Sequence, residues 1–435
     1  MNRKPQRRSL TCFIQGAALG ALLCVVLPSS ADAAAPQGPG APALTIREAV
    51  QRALAASPRL DAVRAGIGAA AGTELQTHLL PNPELSVEAE NIIGTGPYRG
   101  LSGSEFTYGV AQLIELGGKR EARQQAAAAN RRAAETELSA AQLDLVRDVT
   151  LAYMDVVAAE ENVRLAKNLE GTARSVFADV SRRVAAARDP LFQRSRAEVA
   201  LTNATIARAR AEAALLTARQ KLGRYWGEPI VAEPLAGNVF FIAEAPEALA
   251  DYEAELKDAP DLARFARLRE AREADLALAR AGAAPDVRAS LGVRQFAGRD
   301  AALVAGVSIP IPVFNQNEGE IARAGAEVTR ISSERRQVEL ERSQQLVDAW
   351  GRWKSAFAEI KSLKDAALPQ AQRAFTLALA GYRVGGFQYL DVLDTQRALF
   401  ETRGALNAAL TRLHAARTEV ERLTAHGSSD IAGSP

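Results

Sequence analysis

Two parts of this chain resemble each other and carry helical and strand-like patterns in the same order. The segment SPRLDAVRAG from Ser57 resembles APDLARFARL from Ala259, a separation of 202 residues. Pro83 and Pro285 repeat the same separation. Self-similarity at a fixed spacing indicates that one structural unit occurs twice. Each copy reads as a helix, two strands, a very long helix and a shorter helix, so the fold must be built from two equivalent halves.

The longest pattern in each copy is a helical run. Residues 119–187 and 318–384 contain almost no proline and are rich in Ala, Glu, Arg, Gln and Leu, which favour helices. At a rise of about 1.5 Å per residue, each run would extend roughly 100 Å. Shorter helices are predicted over residues 190–223 and 388–425. Rods of this length do not fit an ordinary globular domain.

Two further features of the helices predict how they pack. The last helix repeats apolar residues every seven positions, which is typical of a coiled-coil seam. Gly171 and Pro369 lie 198 residues apart in the two long helices, and both residue types weaken a helix. We therefore expect a bend at the same level in each copy. The seam consists of Val392, Leu399, Leu406, Leu413 and Val420.

Four short segments alternate apolar and polar residues, and they cover residues 84–93, 104–114, 286–295 and 302–312. Such alternation predicts strands with one apolar and one polar face. A single hairpin of this kind would most simply be half-buried in a soluble protein, whereas two in an exported chain favour strands of outer-membrane length. Four strands cannot close a barrel, and open edges are not tolerated in lipid. Several chains must then share one barrel.

The first 33 residues read as a secretory signal peptide. Basic residues precede an apolar run over 12–27, and a small-x-small motif at 31–33 fits a cleavage site. Both cysteines, Cys12 and Cys24, lie inside this segment, so the exported chain would carry no thiol and needs no disulfide. Lipidation of Cys24 is disfavoured because Leu23, just before it, is large.

The rest of the chain divides at changes of pattern. A segment with several prolines and no helical period separates the two copies and is expected to lie against the helices. The last residues are rich in Gly and Ser and are expected to be flexible. The predicted parts are the signal peptide at 1–33, the first repeat at 34–226, the connecting segment at 227–246, the second repeat at 247–426 and the tail at 427–435.

The charge balance disfavours some classes of protein. The chain has 53 Lys and Arg against 51 Asp and Glu, and removal of the predicted signal leaves 49 and 50. Nucleic-acid binding is therefore disfavoured, because it normally requires a strongly basic surface. No later segment has the roughly 20 uninterrupted apolar residues of a transmembrane helix. Aromatic residues make up only 5% and alanine is abundant, which favours closely packed helices over one large core.

Three motifs carry a resemblance to a known family: QLIELGGKREA from Gln112, SIPIPVFNQNEGEIARA from Ser308 and YRVGGFQYLDVLDTQRALFETR from Tyr382. With the tandem repeat, they make the chain similar to the outer-membrane efflux proteins of the TolC type from about Leu44 to Leu423. The first two motifs are similar to cobalt–zinc–cadmium outer-membrane factors. The resemblance implies a mainly α-helical trimer with a small transmembrane β part. Four strands per chain would form one twelve-stranded β-barrel, continued by a long periplasmic α-helical barrel.

The same resemblance implies a function and partners. Proteins of the TolC type are exit ducts of tripartite pumps and work with a periplasmic membrane-fusion adaptor and an inner-membrane pump, of the RND type in the heavy-metal branch. The resemblance therefore predicts a homotrimeric duct in the outer membrane of a Gram-negative bacterium, with metal cations as cargo and no cofactor. The same duct serving drugs or type I protein secretion stays open, as does a soluble periplasmic coiled-coil scaffold.

The pair Gly385-Gly386 interrupts the second long helix where the chain must reverse. Glycine adopts the positive φ of a tight turn, so we expect the return helix to begin near Gln388. In the first copy, Asp189 is expected to cap the return helix and Pro190 to occupy its first turn. The resemblance implies that these tips contact the adaptor, through Val384, Gly385, Gly386 and Asp189.

Asp391 and Asp394 lie three residues apart and therefore share one face of the return helix. On the residues alone, the simplest interpretation is that acids early in a helix favour the positive end of its dipole. The resemblance implies a further role, since acids at both positions form rings that narrow the closed periplasmic mouth. Tyr382 matches a tyrosine that holds this mouth shut. Phe387 stands where the family has a second restraining residue, an arginine.

Enzymatic activity is not expected. The histidines form no zinc-binding motif, the exported chain has no cysteine, and no nucleophile lies in a pattern with a base. The segment IELGGKRE lacks the earlier glycine and the Ser or Thr of a phosphate-binding loop. His78 reads as a packed or solvated residue at a helix end. No catalytic and no metal site is therefore predicted.

Overall fold

The computed structural model describes residues 43–425. The predicted signal peptide with Cys24, the residue His426 and the predicted tail at 427–435 lie outside the described residues. Long α-helices make up most of the described chain, and two strands of a small antiparallel sheet each precede one of the two longest helices. Within residues 43–425, no helix combines the length and the apolar character needed to cross a membrane.

The helices of the two copies begin in matching ways. Pro58 and Pro260 each occupy the first turn of a helix, where the missing N–H is not needed. Gly118 and Asn317 each adopt the left-handed conformation just before a long helix. The first copy contains α1 (Ile46–Ala56), α2 (Pro58–Thr77), α3 (Lys119–Ala185) and α4 (Leu191–Gly223), and the second contains α5 (Leu249–Leu256), α6 (Pro260–Ala281), α7 (Glu318–Ser362), α8 (Leu368–Val384) and α9 (Tyr389–Thr424).

The second long helix is interrupted and the first is not. Leu363–Ala367 forms a π-helix between α7 and α8, and only Leu368 separates it from Pro369. Proline lacks an N–H and its ring crowds a carbonyl one turn earlier, and the wider π turn accommodates both effects. By contrast, α3 continues as an α-helix through Gly171. The helix is therefore irregular near Pro369 in the second copy and regular at Gly171 in the first, because glycine leaves the backbone hydrogen bonds of a helix intact.

The four strands form one antiparallel sheet in the order β1-β2-β3-β4, so β1 and β4 each have one edge without a partner strand among residues 43–425. The first strand ends at Glu90, because Asn91 adopts a left-handed conformation with φ 56°. The fourth ends at Ser308, short of the predicted 312, because Pro310 and Pro312 cannot donate to a neighbouring strand. The strands are β1 (Glu84–Glu90), β2 (Glu105–Ile114), β3 (Val287–Phe296) and β4 (Ala301–Ser308).

The register of the strands gathers apolar side chains on one face of the sheet. Val110 pairs with Leu85 in β1 and with Leu291 in β3, and Leu291 pairs in turn with Ala305 in β4. Directly opposed residues project from the same face, so the apolar face is continuous across all four strands. Leu85 is 78% exposed and Leu303 is 74% exposed. A single chain therefore leaves this face uncovered.

Two clusters of buried apolar side chains hold the helices together. The larger one joins α1, the middle of α3, α7 and the last part of α9, and it includes Leu413 and Val420 of the seven-residue seam. The smaller one lies where α3 and α4 meet α8 and α9. We call it the tip cluster, and its buried members are Val176, Val180, Ala197, Phe375, Ala378, Tyr382, Tyr389, Val392 and Leu399.

The connecting segment packs against the helices through backbone carbonyls. The His414 Nε2–H donates to the Phe240 carbonyl at 2.8 Å, and the two rings stack with centroids 5.5 Å apart. Burial lowers the pKa of His414, which favours the neutral ring. The Trp353 Nε1–H donates to the Glu244 carbonyl at 2.9 Å. These contacts give His414 a structural role.

Candidate functional site

The second helical hairpin reverses at Gly385. This residue has φ 89°, and its N–H donates to the Tyr382 carbonyl at 3.0 Å. The N–H of Gly386 donates to the Gly381 carbonyl at 2.8 Å. Together these bonds form a Schellman motif, which satisfies the last carbonyls of α8. Of the two glycines expected to take positive φ, only Gly385 does so.

The first hairpin reverses with the same hydrogen bonds but without glycine. Ala187 occupies the left-handed position with φ 55°, and its N–H donates to the Val184 carbonyl at 3.0 Å. The Arg188 N–H donates to the Arg183 carbonyl at 2.9 Å. A side chain with a Cβ adopts this conformation at a cost of about 1–2 kcal/mol. The first tip is therefore strained where the second is not.

Asp189 joins the two tips. Its carboxylate accepts from the Tyr382 hydroxyl at 2.7 Å and from Arg183 Nε at 2.8 Å. A further Arg183 nitrogen donates to the Tyr382 carbonyl at 3.0 Å, and the guanidinium lies 4.7 Å from the centre of the tyrosine ring. The Asp189 side chain is 10% exposed. We call these three residues the tip triad.

The predicted capping role of Asp189 is wrong. The residue that precedes the first turn of α4 is Pro190, and no side chain caps this helix. The Asp189 carboxylate is occupied by Arg183 and Tyr382, which offer charge-assisted hydrogen bonds in place of a neutral backbone N–H. A sequence pattern indicates that an acid stands before a helix, but it does not indicate a competing partner on another helix.

Contacts within the tip triad stabilise the charged form of Asp189 and the protonated form of Tyr382. The hydrogen bond from Arg183 holds the pKa of Asp189 below its usual range. Burial, together with the bond to Asp189, raises the pKa of the Tyr382 hydroxyl, which therefore stays protonated and donates. Breaking a partly buried arrangement of this kind leaves charged groups without partners, which costs more than the bonds themselves contribute.

A second ion pair lies beside the tip triad. Arg383 Nε contacts an Asp179 oxygen at 3.0 Å, and Arg182 contacts the other oxygen of the same carboxylate. Asp179 is buried, whereas the Arg383 side chain is 54% exposed, so α8 is tied to α3 by an ion pair with one buried partner. No sequence pattern predicted a role for Asp179, Arg183 or Arg383. For Asp179, the one signal in the sequence was the position of an acid among apolar residues of a helix, next to Val180 of the tip cluster.

Asp391 and Asp394 both lie exposed on the first turns of α9. Asp391 accepts from the Gln388 N–H at 2.9 Å, and the Asp391 N–H donates to the Gln388 backbone carbonyl at 3.1 Å. The Asp394 carboxylate forms no hydrogen bond or ion pair with any residue among 43–425. The helix-end interpretation therefore accounts for Asp391, but it leaves the second carboxylate without a structural partner.

Several exposed residues of the tips are apolar. Val384 is 87% exposed, Leu191 is 71% exposed and Phe192 is 57% exposed. Phe387 packs against Gly381, where even a Cβ would clash with its ring. Phe387 therefore fixes the turn by packing, and Arg183 of the first hairpin supplies a charged contact to the Tyr382 carbonyl. Exposed apolar groups at a helical tip suit a protein contact.

The polar face of the sheet is charged near both ends of its strands. Arg294 contacts Glu105 at 3.2 Å and Glu90 at 3.3 Å, and its Nε donates to the Thr107 hydroxyl at 3.0 Å. Arg288 pairs with Glu84. The sheet therefore has one face suited to lipid and one suited to water. Within residues 43–425, no group of three or more His, Cys, Asp or Glu is arranged to hold a metal ion.

Comparison with protein families gives a match over both repeats. Residues 49–228 and 252–426 match the family described as "Outer membrane efflux protein". The two matched ranges leave out most of the connecting segment. They cover more than half of the chain.

Individual proteins give the same result. The chain is 30% identical over 389 residues to the cobalt-zinc-cadmium resistance protein CzcC of Cupriavidus metallidurans, which covers 87% of this chain and 90% of that protein. It is 31% identical over 297 residues to the nickel and cobalt resistance protein CnrC of the same organism, covering 67% and 69%. The crystal structure of the outer membrane protein VceC of Vibrio cholerae superposes with a TM-score of 0.70 at 20% identity, covering 87% of this chain and 95% of that chain. This last likeness shows a shared fold.

Proposed function

Because this chain belongs to the outer membrane efflux protein family, we propose that it forms the exit duct of a tripartite pump and exports heavy-metal cations. Its location is the outer membrane, and it extends into the periplasm. The observation that carries the proposal is the sheet, which exposes large apolar side chains on one face and charged ones on the other. Such a sheet fits a boundary between lipid and a water-filled lumen.

The proposed duct is a homotrimer. The sheet of one chain ends in two open edges, and in lipid an open edge leaves N–H and C=O groups without partners. Three chains joined edge to edge would give twelve strands, a closed barrel and a polar lumen. A soluble scaffold would instead present Leu85, Leu291 and Leu303 to water, so the exposed face disfavours that alternative.

The proposed gate is the attachment of the second hairpin to the first. The tip triad and the Arg383–Asp179 pair hold α8 against α3. Opening would move the second tip outward and break these contacts. A partner that binds only the splayed tips would supply the energy, since a ligand shifts an equilibrium by its difference in affinity for the two states.

The two exposed acids of α9 are proposed to line the closed mouth. In a threefold assembly each carboxylate occurs three times, so Asp391 and Asp394 would form rings that concentrate negative potential in a narrow passage. Such rings attract cations and slow anions. Asp394 supports this role most directly, since it is exposed and has no partner among the described residues.

The proposed partners are a periplasmic adaptor and an RND-type inner-membrane transporter. The adaptor would meet the tips through Val384, Gly385 and Gly386, together with the exposed Leu191 and Phe192. The Asp189 carboxylate is largely buried by Arg183 and Tyr382, so its contribution to adaptor binding would be indirect, through the shape of the first tip.

The metal cargo is proposed from the names of the relatives, which are resistance proteins for cobalt, zinc, cadmium and nickel. The test is a strain in which this gene is deleted, grown with zinc, cobalt or cadmium and, separately, with detergents and dyes. We expect sensitivity to the metals, reversed by a plasmid copy. Sensitivity to detergents and dyes alone would refute the metal cargo and leave the duct in place.

A further inference from the structure

A pocket of about 330 Å³ lies between the two copies, beside the π-helix that interrupts the second long helix. Its walls come from α3, α9, the connecting segment and Leu368, the first residue of α8. Pockets that bind small molecules measure about 300–1,000 Å³. All of these walls belong to one chain, so the pocket does not depend on the proposed homotrimer.

The apolar part of the lining comes from Leu165, Leu368, Leu406, Leu410 and Phe241. Leu410 is buried and the other three leucines are half-buried, whereas the Phe241 side chain is exposed. These side chains offer contact area for the apolar body of a ligand. The accessible ring of Phe241 favours an aromatic body, since aromatic pairs gain more than their buried area alone provides.

The side chain of Asn407, which also lines the pocket, has a fixed orientation. Its amide nitrogen donates to the Ala158 carbonyl at 3.1 Å and to Asn162 Oδ1 at 2.7 Å. A backbone carbonyl can only accept, so the nitrogen and not the oxygen must face Ala158. Asn407 is only 5% exposed, and its Oδ1 accepts no hydrogen bond from the part of the chain that the structure describes. A buried acceptor without a donor is unfavourable, so this atom suits a ligand with an O–H group.

Arg403 supplies a positive charge to the pocket, one turn before Asn407 on the same face of α9. One of its guanidinium nitrogens donates to Gln372 Oε1 at 2.7 Å, and it forms no ion pair with any residue in the range 43–425. The other arginine of the pocket, Arg164, is paired with Glu161 at 2.6 Å. The uncompensated charge is therefore that of Arg403. A guanidinium binds a carboxylate through two parallel hydrogen bonds, so this charge suits a carboxylate ligand.

We propose that this pocket binds a small aromatic carboxylate that carries a hydroxyl group. The carboxylate pairs with Arg403, the ring lies against Phe241 and the leucines, and the hydroxyl donates to Asn407 Oδ1. Residues four apart on a helix have Cβ atoms about 5–6 Å apart, which suits a ligand whose two polar groups lie at opposite ends of one ring.

Calorimetric titration of the native protein in detergent tests the chemistry of the site, with 4-hydroxybenzoate as the probe. We expect saturable binding. Two related compounds separate the polar groups: 4-methoxybenzoate cannot donate to Asn407, and 4-hydroxybenzamide has no charge for Arg403. Each should bind at least about tenfold more weakly, which corresponds to the loss of one strong hydrogen bond.

Variants test whether the probe occupies this pocket. Arg403→Gln should weaken the binding of 4-hydroxybenzoate at least about tenfold, and Arg403→Lys should restore part of it because the charge is retained. Arg412→Gln is the matched control and should bind like the native protein, since Arg412 lies on the same helix outside the pocket and pairs with Glu359 at 2.7 Å. Asn407→Leu should abolish the difference between 4-hydroxybenzoate and 4-methoxybenzoate, a result that a purely structural role of Asn407 would not give.

Two results would overturn the proposal. One is the absence of saturable binding of 4-hydroxybenzoate by the native protein, which would make the pocket a solvent-filled gap between helices. The other is equal binding by the native protein and Arg403→Gln, which would place the probe elsewhere. Neither result bears on the proposed duct, because the metal sensitivity of the deletion strain tests that function separately.

Discussion

The two helical tips reverse with the same hydrogen bonds but with different residues, and the difference separates their tasks. The second tip places Gly385 in the left-handed position and is free of strain, whereas the first places Ala187 there. The first tip supplies Asp189 to the tip triad, and the second supplies the exposed acids of α9. The first tip therefore supplies the carboxylate that binds the second tip. The second tip makes an unstrained turn and exposes two carboxylates.

The largest expected effect follows from removal of the acid that joins the tips. Asp189→Ala leaves the Arg183 guanidinium and the Tyr382 hydroxyl without their shared partner, which should weaken the closed state by about 2 kcal/mol. Single-channel conductance in planar bilayers should rise. Asp189→Asn keeps an acceptor and should give a smaller rise. Unchanged conductance in Asp189→Ala would show that the tips are held by other contacts.

Lowering the pH should remove the stabilisation that Asp189 contributes to the native protein. Because the pKa of Asp189 is lowered by Arg183, its carboxylate stabilises the folded tip at pH values above the ordinary 3.8, and this stabilisation is lost as the pH falls through the lower folded value. The difference in unfolding free energy between the native protein and Asp189→Ala should therefore stay constant from pH 8 to about pH 5. It should shrink below pH 4, and a difference that already falls between pH 8 and pH 5 would contradict this.

Exchange of the turn residue comes next in size. Gly385→Ala forces a Cβ into the left-handed region and should lower the free energy of unfolding by about 1–2 kcal/mol. Chemical unfolding of the detergent-solubilised protein measures this. Gly386→Ala is the matched control, since that residue has no positive φ, and it should cost less. Equal losses from both variants would mean that the conformation of Gly385 is not what the turn requires.

The exposed acids should affect transport more than stability. Asp391→Ala combined with Asp394→Ala removes one cap, worth about 1 kcal/mol, and both proposed rings. Conductance should increase and block by multivalent cations should weaken. Asp394→Ala alone should retain the cap and still weaken the block. If conductance and block are both unchanged in the double variant, the acids do not line the passage.

The smallest expected effect is a gain in stability. Ala187→Gly relieves the strained position of the first tip and partly offsets this by making the unfolded chain more flexible, so it should stabilise the protein by less than about 1 kcal/mol. The same chemical unfolding experiment measures it. A loss of stability would mean that Ala187 makes packing contacts worth more than the strain it carries.

Features that depend on the local sequence could be predicted. The starts of α3 and α7 at residues 119 and 318 were predicted to the residue, because proline-free runs rich in helix formers begin there. The alternation of Leu85, Val87 and Ala89 likewise predicted a strand with one apolar face. The family assignment is confirmed by the match over both repeats.

Features that depend on partners elsewhere in the chain could not be predicted from the sequence. The partners of Asp189 are Arg183, six residues away on α3, and Tyr382, nearly two hundred residues away on α8. Their convergence depends on how the two hairpins pack. The π-helix at Leu363–Ala367 was likewise missed, because proline predicts a disturbed helix without saying how the chain absorbs it. Arg183 lies on the first hairpin, so no pattern around position 387 indicates its contact with Tyr382.

The proposed pore requires several chains to combine their sheets, and the most direct measurement of this is the molar mass of the native protein extracted from outer membranes in detergent. Light scattering, corrected for bound detergent, should give three chains per particle and no smaller species. A single chain that remains dispersed in water after the detergent is removed would contradict the account, since its apolar sheet would then need neither lipid nor a second copy.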